Sequence, residues 1–107
     1  MTFFELLEKV RETAKKVDVP KEGFLAVQVN ITGEEGGVFY VEVKDGQVNI
    51  EPYEYYDRNC AITMDMTHFN KLIDGKLDPV LAFTTGKLKV DGDIGKALEF
   101  SKLVKRS

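Results

Sequence analysis

Residues 25 to 51 limit the available folds more than any other stretch of the chain. Leu25, Val27, Val29 and Ile31 alternate with Ala26, Gln28, Asn30 and Thr32, the two-residue period of a strand with one apolar face. A glycine-rich turn from Gly33 to Gly37 follows, and Phe39, Val41 and Val43 then alternate with Tyr40, Glu42 and Lys44. Asp45-Gly46 signals a hairpin, because both central residues of a type I′ turn take positive φ. Gln47 to Glu51 reads as a third strand with Val48 and Ile50 inward, and Pro52 ends it. A meander with one apolar face needs a cover.

The first cover is amino-terminal. Thr2 and Glu5 form a capping-box pattern, and Phe3, Leu6, Leu7, Val10, Ala14 and Val17 recur at helical spacing. Lys15 and Lys16 suit the negative end of that helix, and Pro20 lies beyond its stop.

After the meander, a loop with Tyr53, Tyr55, Tyr56, Asp57 and Arg58 leads to a fourth strand, Asn59 to Asp65. The tyrosine rings are expected over the sheet end with their hydroxyls in water. Alternation puts Ile62, Met64 and Met66 on one face, together with Cys60. Thr67 is expected to cap a short helix that buries Phe69, Leu72 and Ile73 and stops at Gly75. Asp78-Pro79 opens a helix of one or two turns carrying Val80, Leu81, Ala82 and Phe83. Lys87 to Asp91 then alternates as a fifth strand with Leu88 and Val90 inward. Asp93 is placed to cap a last helix near Lys96, in which Ile94, Ala97, Leu98, Phe100, Ser101 and Val104 form one face.

This order predicts an α+β fold: a five-stranded, mostly antiparallel sheet with helices packed on one face. No repeat, linker or low-complexity stretch divides it, so residues 1–107 are read as a single domain. The opposite sheet face, with Phe24, Ala26, Gln28, Asn30 and Thr32, is mild in charge and is expected to be solvated.

Composition excludes several function classes. The net charge is −3 with acids and lysines interspersed, so no basic block exists to neutralise nucleic-acid phosphates or to dock strongly on anionic membranes. The single cysteine, Cys60, rules out an internal disulfide and fits a cytoplasmic location. The amino-terminal residues read as neither signal peptide nor membrane span. Ser101-Lys102-Leu103 would be a peroxisomal address at a carboxyl terminus, but Val104 to Ser107 follow it.

Catalytic chemistry finds no foothold, and the chain is read as no enzyme. His68 is the only histidine, and neither it nor Cys60 has a sequence neighbour that would make a triad or a metal pair. Asp91-Gly92-Asp93 starts like a calcium loop, but Lys102 stands where the bidentate glutamate belongs. No cofactor is called for. Lys76, Lys87 and Lys89 are cations that would suit a lipid head group, with solvated surface lysines as the simpler reading.

Residues 75 to 104 carry a more specific signal. Gly75, Lys76, Asp78 and Pro79, then Ala82-Phe83, Gly86-Lys87-Leu88-Lys89-Val90, Gly92-Asp93, Gly95, Ala97, Leu98 and Ser101-Lys102-Leu103 resemble the lipid-binding domain of the type 2 sterol carrier protein family. The resemblance is strong over about thirty residues, and the order of elements extends it over the chain. It implies an apolar tunnel between sheet and helices that holds a fatty acid, fatty acyl-coenzyme A, isoprenoid, phospholipid or sterol-like ligand, with no catalytic residue. On that resemblance the tunnel walls are Ile62, Met64, Met66, Phe69, Leu72, Leu81, Phe83, Leu98, Phe100, Leu103 and Val104. Methionine suits such walls because its thioether adapts to variable shapes. The last helix, or the 74–86 segment, would move to admit the ligand. The alternative is a docking or dimerisation module with a filled pocket, working beside a lipid-metabolising enzyme or a second copy.

Overall fold

A computed structural model describes residues 1–19 and 21–104. The side chain of Val104 lies outside that description, and so does the expectation for it. The elements follow in the order α1 (Phe3–Lys15), β1 (Phe24–Thr32), β2 (Gly37–Lys44), β3 (Gln47–Glu51), β4 (Cys60–Asp65), α2 (Met66–Ile73), α3 (Pro79–Thr84), β5 (Lys89–Gly92) and α4 (Ile94–Val104).

The capping box at Thr2 and Glu5 forms as expected and sets the start of α1. The β2–β3 hairpin turns on Asp45 and Gly46 at φ of 49° and 83°, the positive pair that the turn requires. The sheet order is β3-β2-β1-β4-β5. All neighbours are antiparallel except β1 and β4, which pair in parallel from Val27↔Cys60 to Thr32↔Asp65.

That parallel pair has a large consequence. The chain must leave β3 at one sheet edge and re-enter beyond β1 running the same way, so residues 52–59 cross the face opposite the helices. The expectation of a solvated outer face is therefore corrected in its middle, where Ala26 and Gln28 are buried and Asn30 is half-buried, while Phe24 and Thr32 are exposed as expected. The Tyr55 amide donates to Gln28 Oε1 at 3.2 Å, and Asn59 Oδ1 accepts from the Ala26 amide at 2.7 Å. Tyr55 packs its ring on Tyr40 at 5.1 Å and donates its hydroxyl to Glu42 Oε2 at 2.7 Å, so that hydroxyl is not left in water. Tyr53 and Tyr56 are exposed, as expected.

On the helix side the registers align cross-strand rows such as Ile50–Val41–Val27–Cys60 and Phe39–Val29–Ile62–Val90. Leu6, Leu7 and Val10 of α1 join them in one core. Arg11 ties α1 to the sheet edge by donating from Nε and Nη2 to the Ile50 carbonyl at 3.1 and 2.8 Å.

Three further expectations are corrected. The α2 cap is Asp65 rather than Thr67: its carboxylate accepts from the His68 amide at 2.8 Å. β4 runs into α2 without a loop, so Met66 is the first helical residue and leaves the alternation of Ile62 and Met64. Leu88 is buried, but it precedes β5, which begins at Lys89.

Candidate ligand-binding site

Five of the expected wall residues meet in the layer between sheet and helices. Ile62, Phe69, Leu72 and Phe100 are 0% exposed and Met64 is 2% exposed. The β4 pleat turns Ile62 and Met64 to the helices. The 3.6-residue period of α2 presents Phe69 and Leu72 to the sheet, and Phe69 meets Phe39 edge-on at 5.9 Å. Phe100 comes from α4 beside Ala97 and Ser101, whose hydroxyl is satisfied by the Ala97 carbonyl at 2.9 Å.

Met66 and Leu103 are half-buried and pack at the margin of this core, and Leu98 is half-buried on α4. Leu81 and Phe83 lie elsewhere. They sit on the outer side of α3, 56% and 36% exposed, with Val80 at 55% and Ile94 of α4 at 46%. The reason is local. Asp78 caps α3 through the Val80 amide at 3.0 Å, and Thr84 and Thr85 return their hydroxyls to the Leu81 carbonyl, so the helix lasts six residues and buries only Pro79 and Ala82.

α4 occupies the centre of the cover, packing against β1, β4, β5, α1, α2 and α3. Asp93 caps it as expected, accepting from the Lys96 amide at 3.1 Å. Where α4 meets the end of the sheet, a cavity of about 150 Å³ has Leu25, Val43 and Leu103 as its floor and Glu22, Lys96 and Glu99 at its rim. Sequence reasoning missed these rim residues. Their signal is the i, i+3, i+7 spacing of Lys96, Glu99 and Leu103, which places them on one side of the helix. A wider polar depression of about 740 Å³ lies between the β1–β2 turn and α2, lined by Glu34, Glu35, Asn70 and Lys71 among others.

The candidate reactive groups are tied up. Cys60 is buried, and burial, with Asp93 adding to it, pushes its thiol up to about 11, far from a reactive thiolate. His68 places Nδ1 at 2.6 Å from Asp65 Oδ2. Partial desolvation works to raise the Asp65 pKa, but the amide and ring hydrogen bonds of His68 outweigh it and hold the carboxyl below its usual range. Among the described residues, no group of three or more His, Cys, Asp and Glu is placed to hold a metal ion. None of their helices is long and apolar enough to cross a membrane.

The fold is a five-stranded sheet whose helices enclose an apolar layer on one face. A sequence profile of the SCP-2 sterol transfer family matches residues 4–105, and the chain belongs to that family. Among curated proteins it is 36% identical over 80 residues to hydroxysteroid dehydrogenase-like protein 2 of Xenopus tropicalis, covering 72% of this chain and 19% of that one. The chain thus spans about a fifth of the length of that relative. Palmitated SCP2L2 from Aedes aegypti shares the fold at a TM-score of 0.74 and 18% identity, covering 99% of this chain and 96% of the other. The stereoselective inverting sec-alkylsulfatase Pisa1 from Pseudomonas sp. contains the same fold in 14% of its chain, at a TM-score of 0.68 and 15% identity over 94% of this one. The family binds and transfers lipids.

Proposed function

We propose that this chain, as a single domain, holds one long-chain apolar ligand between its sheet and its helices and transfers it without chemical change. The walls are Ile62, Met64, Phe69, Leu72 and Phe100, with Met66, Leu98 and Leu103 at the margin and Leu81 and Phe83 on the movable side. Burial at about 0.8 kcal/mol per methylene gives a long chain ample driving force.

The observation that carries this reading is the contrast on the cover. α3 and the start of α4 keep Val80, Leu81, Phe83 and Ile94 outside, although Ala82 and Ala97 of the same helices join the hydrophobic core. α3 leans on α4, so the two move as one cover when a ligand enters. The ligand class spans fatty acids, fatty acyl-coenzyme A, isoprenoids and other apolar lipids. Native mass spectrometry of the chain after incubation with each class tests it. One ligand per chain is expected, and a clean unliganded mass with all of them would sink the proposal.

A second reading has its own support. The matching regions of hydroxysteroid dehydrogenase-like protein 2 and of Pisa1 are small parts of longer chains. In that reading the exposed Leu81 and Phe83 dock on a lipid-metabolising enzyme. Protection of α3 from hydrogen exchange on mixing with such an enzyme, without lipid uptake, would favour it.

A further inference from the structure

The cavity at the α4 edge joins an apolar floor to a charged rim. Leu25 and Val43 are cross-strand partners, and with Leu103 they continue into the core. At the rim Lys96 Nζ lies 3.4 Å from Glu99 Oε2, with the two side chains 37% and 46% exposed. Glu22 is the third charged group lining it. We propose, on the basis of the lipid-carrier reading, that this cavity is the ligand's head-group site and that it selects a neutral, hydroxyl-bearing head over a free carboxylate.

The selection follows from charge and from hydrogen-bond capacity. Among the described residues the lining holds two carboxylates and one ammonium, a net charge of minus one. A carboxylate head would compete with Glu99 for Lys96 and would meet two like charges, Glu22 and Glu99, in the lining of the same cavity. A hydroxyl escapes both penalties. It donates to a Glu99 oxygen and accepts from the Lys96 ammonium, so both groups keep a partner and the existing pair is not broken. About 150 Å³ is below the ~300–1,000 Å³ of a complete small-molecule pocket. The cavity therefore takes the head and first carbons, and the tail passes over Leu25 and Val43 into the layer that opens as α4 shifts.

Chain-matched decanol and decanoate, titrated against the full chain by calorimetry at neutral pH, test the assignment. Decanol is expected to bind more tightly. In the double variant Glu22→Gln, Glu99→Gln, decanoate is expected to gain about five-fold or more relative to decanol, because two nearby like charges are removed while the decanol hydroxyl exchanges a carboxylate acceptor for a weaker amide oxygen. Lys96→Gln should weaken decanoate further. Both glutamates are exposed, so the glutamine variants keep the fold. Equal binding of the two ligands by the parent, or an unchanged ratio in the double variant, overturns the head-group assignment and leaves the carrier reading standing. Binding of neither ligand to parent or variant overturns the head-group assignment, and the carrier reading falls with it only if the long-chain lipids also leave a clean unliganded mass.

Discussion

The inner face of the sheet is covered by helices and the middle of its outer face by residues 52–59, and the two covers are held by opposite means. On the inner face the contacts are apolar: Phe39, Ile62, Phe69, Leu72 and Phe100 are wholly buried, with one edge-on ring pair between Phe39 and Phe69. On the outer face, residues 52–59 are held by aimed hydrogen bonds, from Tyr55 to Gln28 and Glu42 and between Asn59 and Ala26. Apolar packing can be rearranged around a ligand at modest cost, whereas a hydrogen-bonded strap has one geometry. A carrier needs both: a layer that repacks, and a rigid sheet for it to repack against.

The strongest way to break this comparison is on the inner face. Phe100→Ala is expected to cost ~3–5 kcal/mol in urea unfolding, because the side chain is wholly buried and leaves a cavity. A bound lipid should recover part of that loss. If ligand instead lowers the stability of this variant, the inner layer is not where it binds.

On the outer face, Asn59→Ala strips the Ala26 amide of its side-chain acceptor and is expected to cost ~1–3 kcal/mol, with lipid affinity unchanged in the folded fraction. A loss of affinity comparable to that of Phe100→Ala would erase the division of labour between the faces.

Tyr55→Phe is a smaller perturbation, ~0.5–1.5 kcal/mol, and it carries a pH signature. The hydrogen bond from Tyr55, with one from Asn49, lowers the Glu42 pKa, so this part of the strap's stability is present above the unfolded glutamate pKa and is lost as pH falls through the folded one. The hydrogen bond to Glu42, aided by burial, pushes Tyr55 up to about 12. Its contribution is complete below the unfolded tyrosine value near ~10 and disappears as pH rises through about 12. The difference between parent and variant in urea midpoint should therefore be flat around neutrality and shrink at both extremes. A constant difference down to strong acid would show that the hydroxyl contributes through packing alone.

The smallest expected effect on stability is at Leu81, which shares the outer side of α3 with Phe83. Leu81→Ser should alter unfolding by no more than ~0.5 kcal/mol, since the side chain is 56% exposed, and Phe83→Ser, 36% exposed, by about 1–2 kcal/mol. Lipid uptake should nevertheless slow, as measured by transfer of a fluorescent fatty acid between vesicles. Unaltered transfer would remove α3 from the cover.

How far the chain could be read from its letters differs between these regions. The bounds of β3, the Asp45-Gly46 turn, the start of α3 at Asp78-Pro79 and the caps of α1 and α4 were legible, because each rests on residues within four positions of one another. The apolar faces of β1, β2 and β4 were legible as well, and so was the burial of Phe69, Leu72 and Phe100, since periodicity marks which side must leave water. Met66 and the α2 cap were misread, because alternation cannot say where a strand becomes a helix when no loop intervenes.

What local pattern determined, then, was the set of elements and the side each one buries. Tertiary structure alone decided that β1 and β4 run parallel, and through that choice it sent residues 52–59 across the outer face and buried Gln28 there. It also decided that Leu81 and Phe83 stay outside while Lys96 and Glu99 flank a cavity. The physical reason is range. Caps, turns and periodicity act between near neighbours, whereas a sheet's strand order, the path of a crossover and the meeting of a helix with a sheet end are set by contacts between residues far apart in the chain.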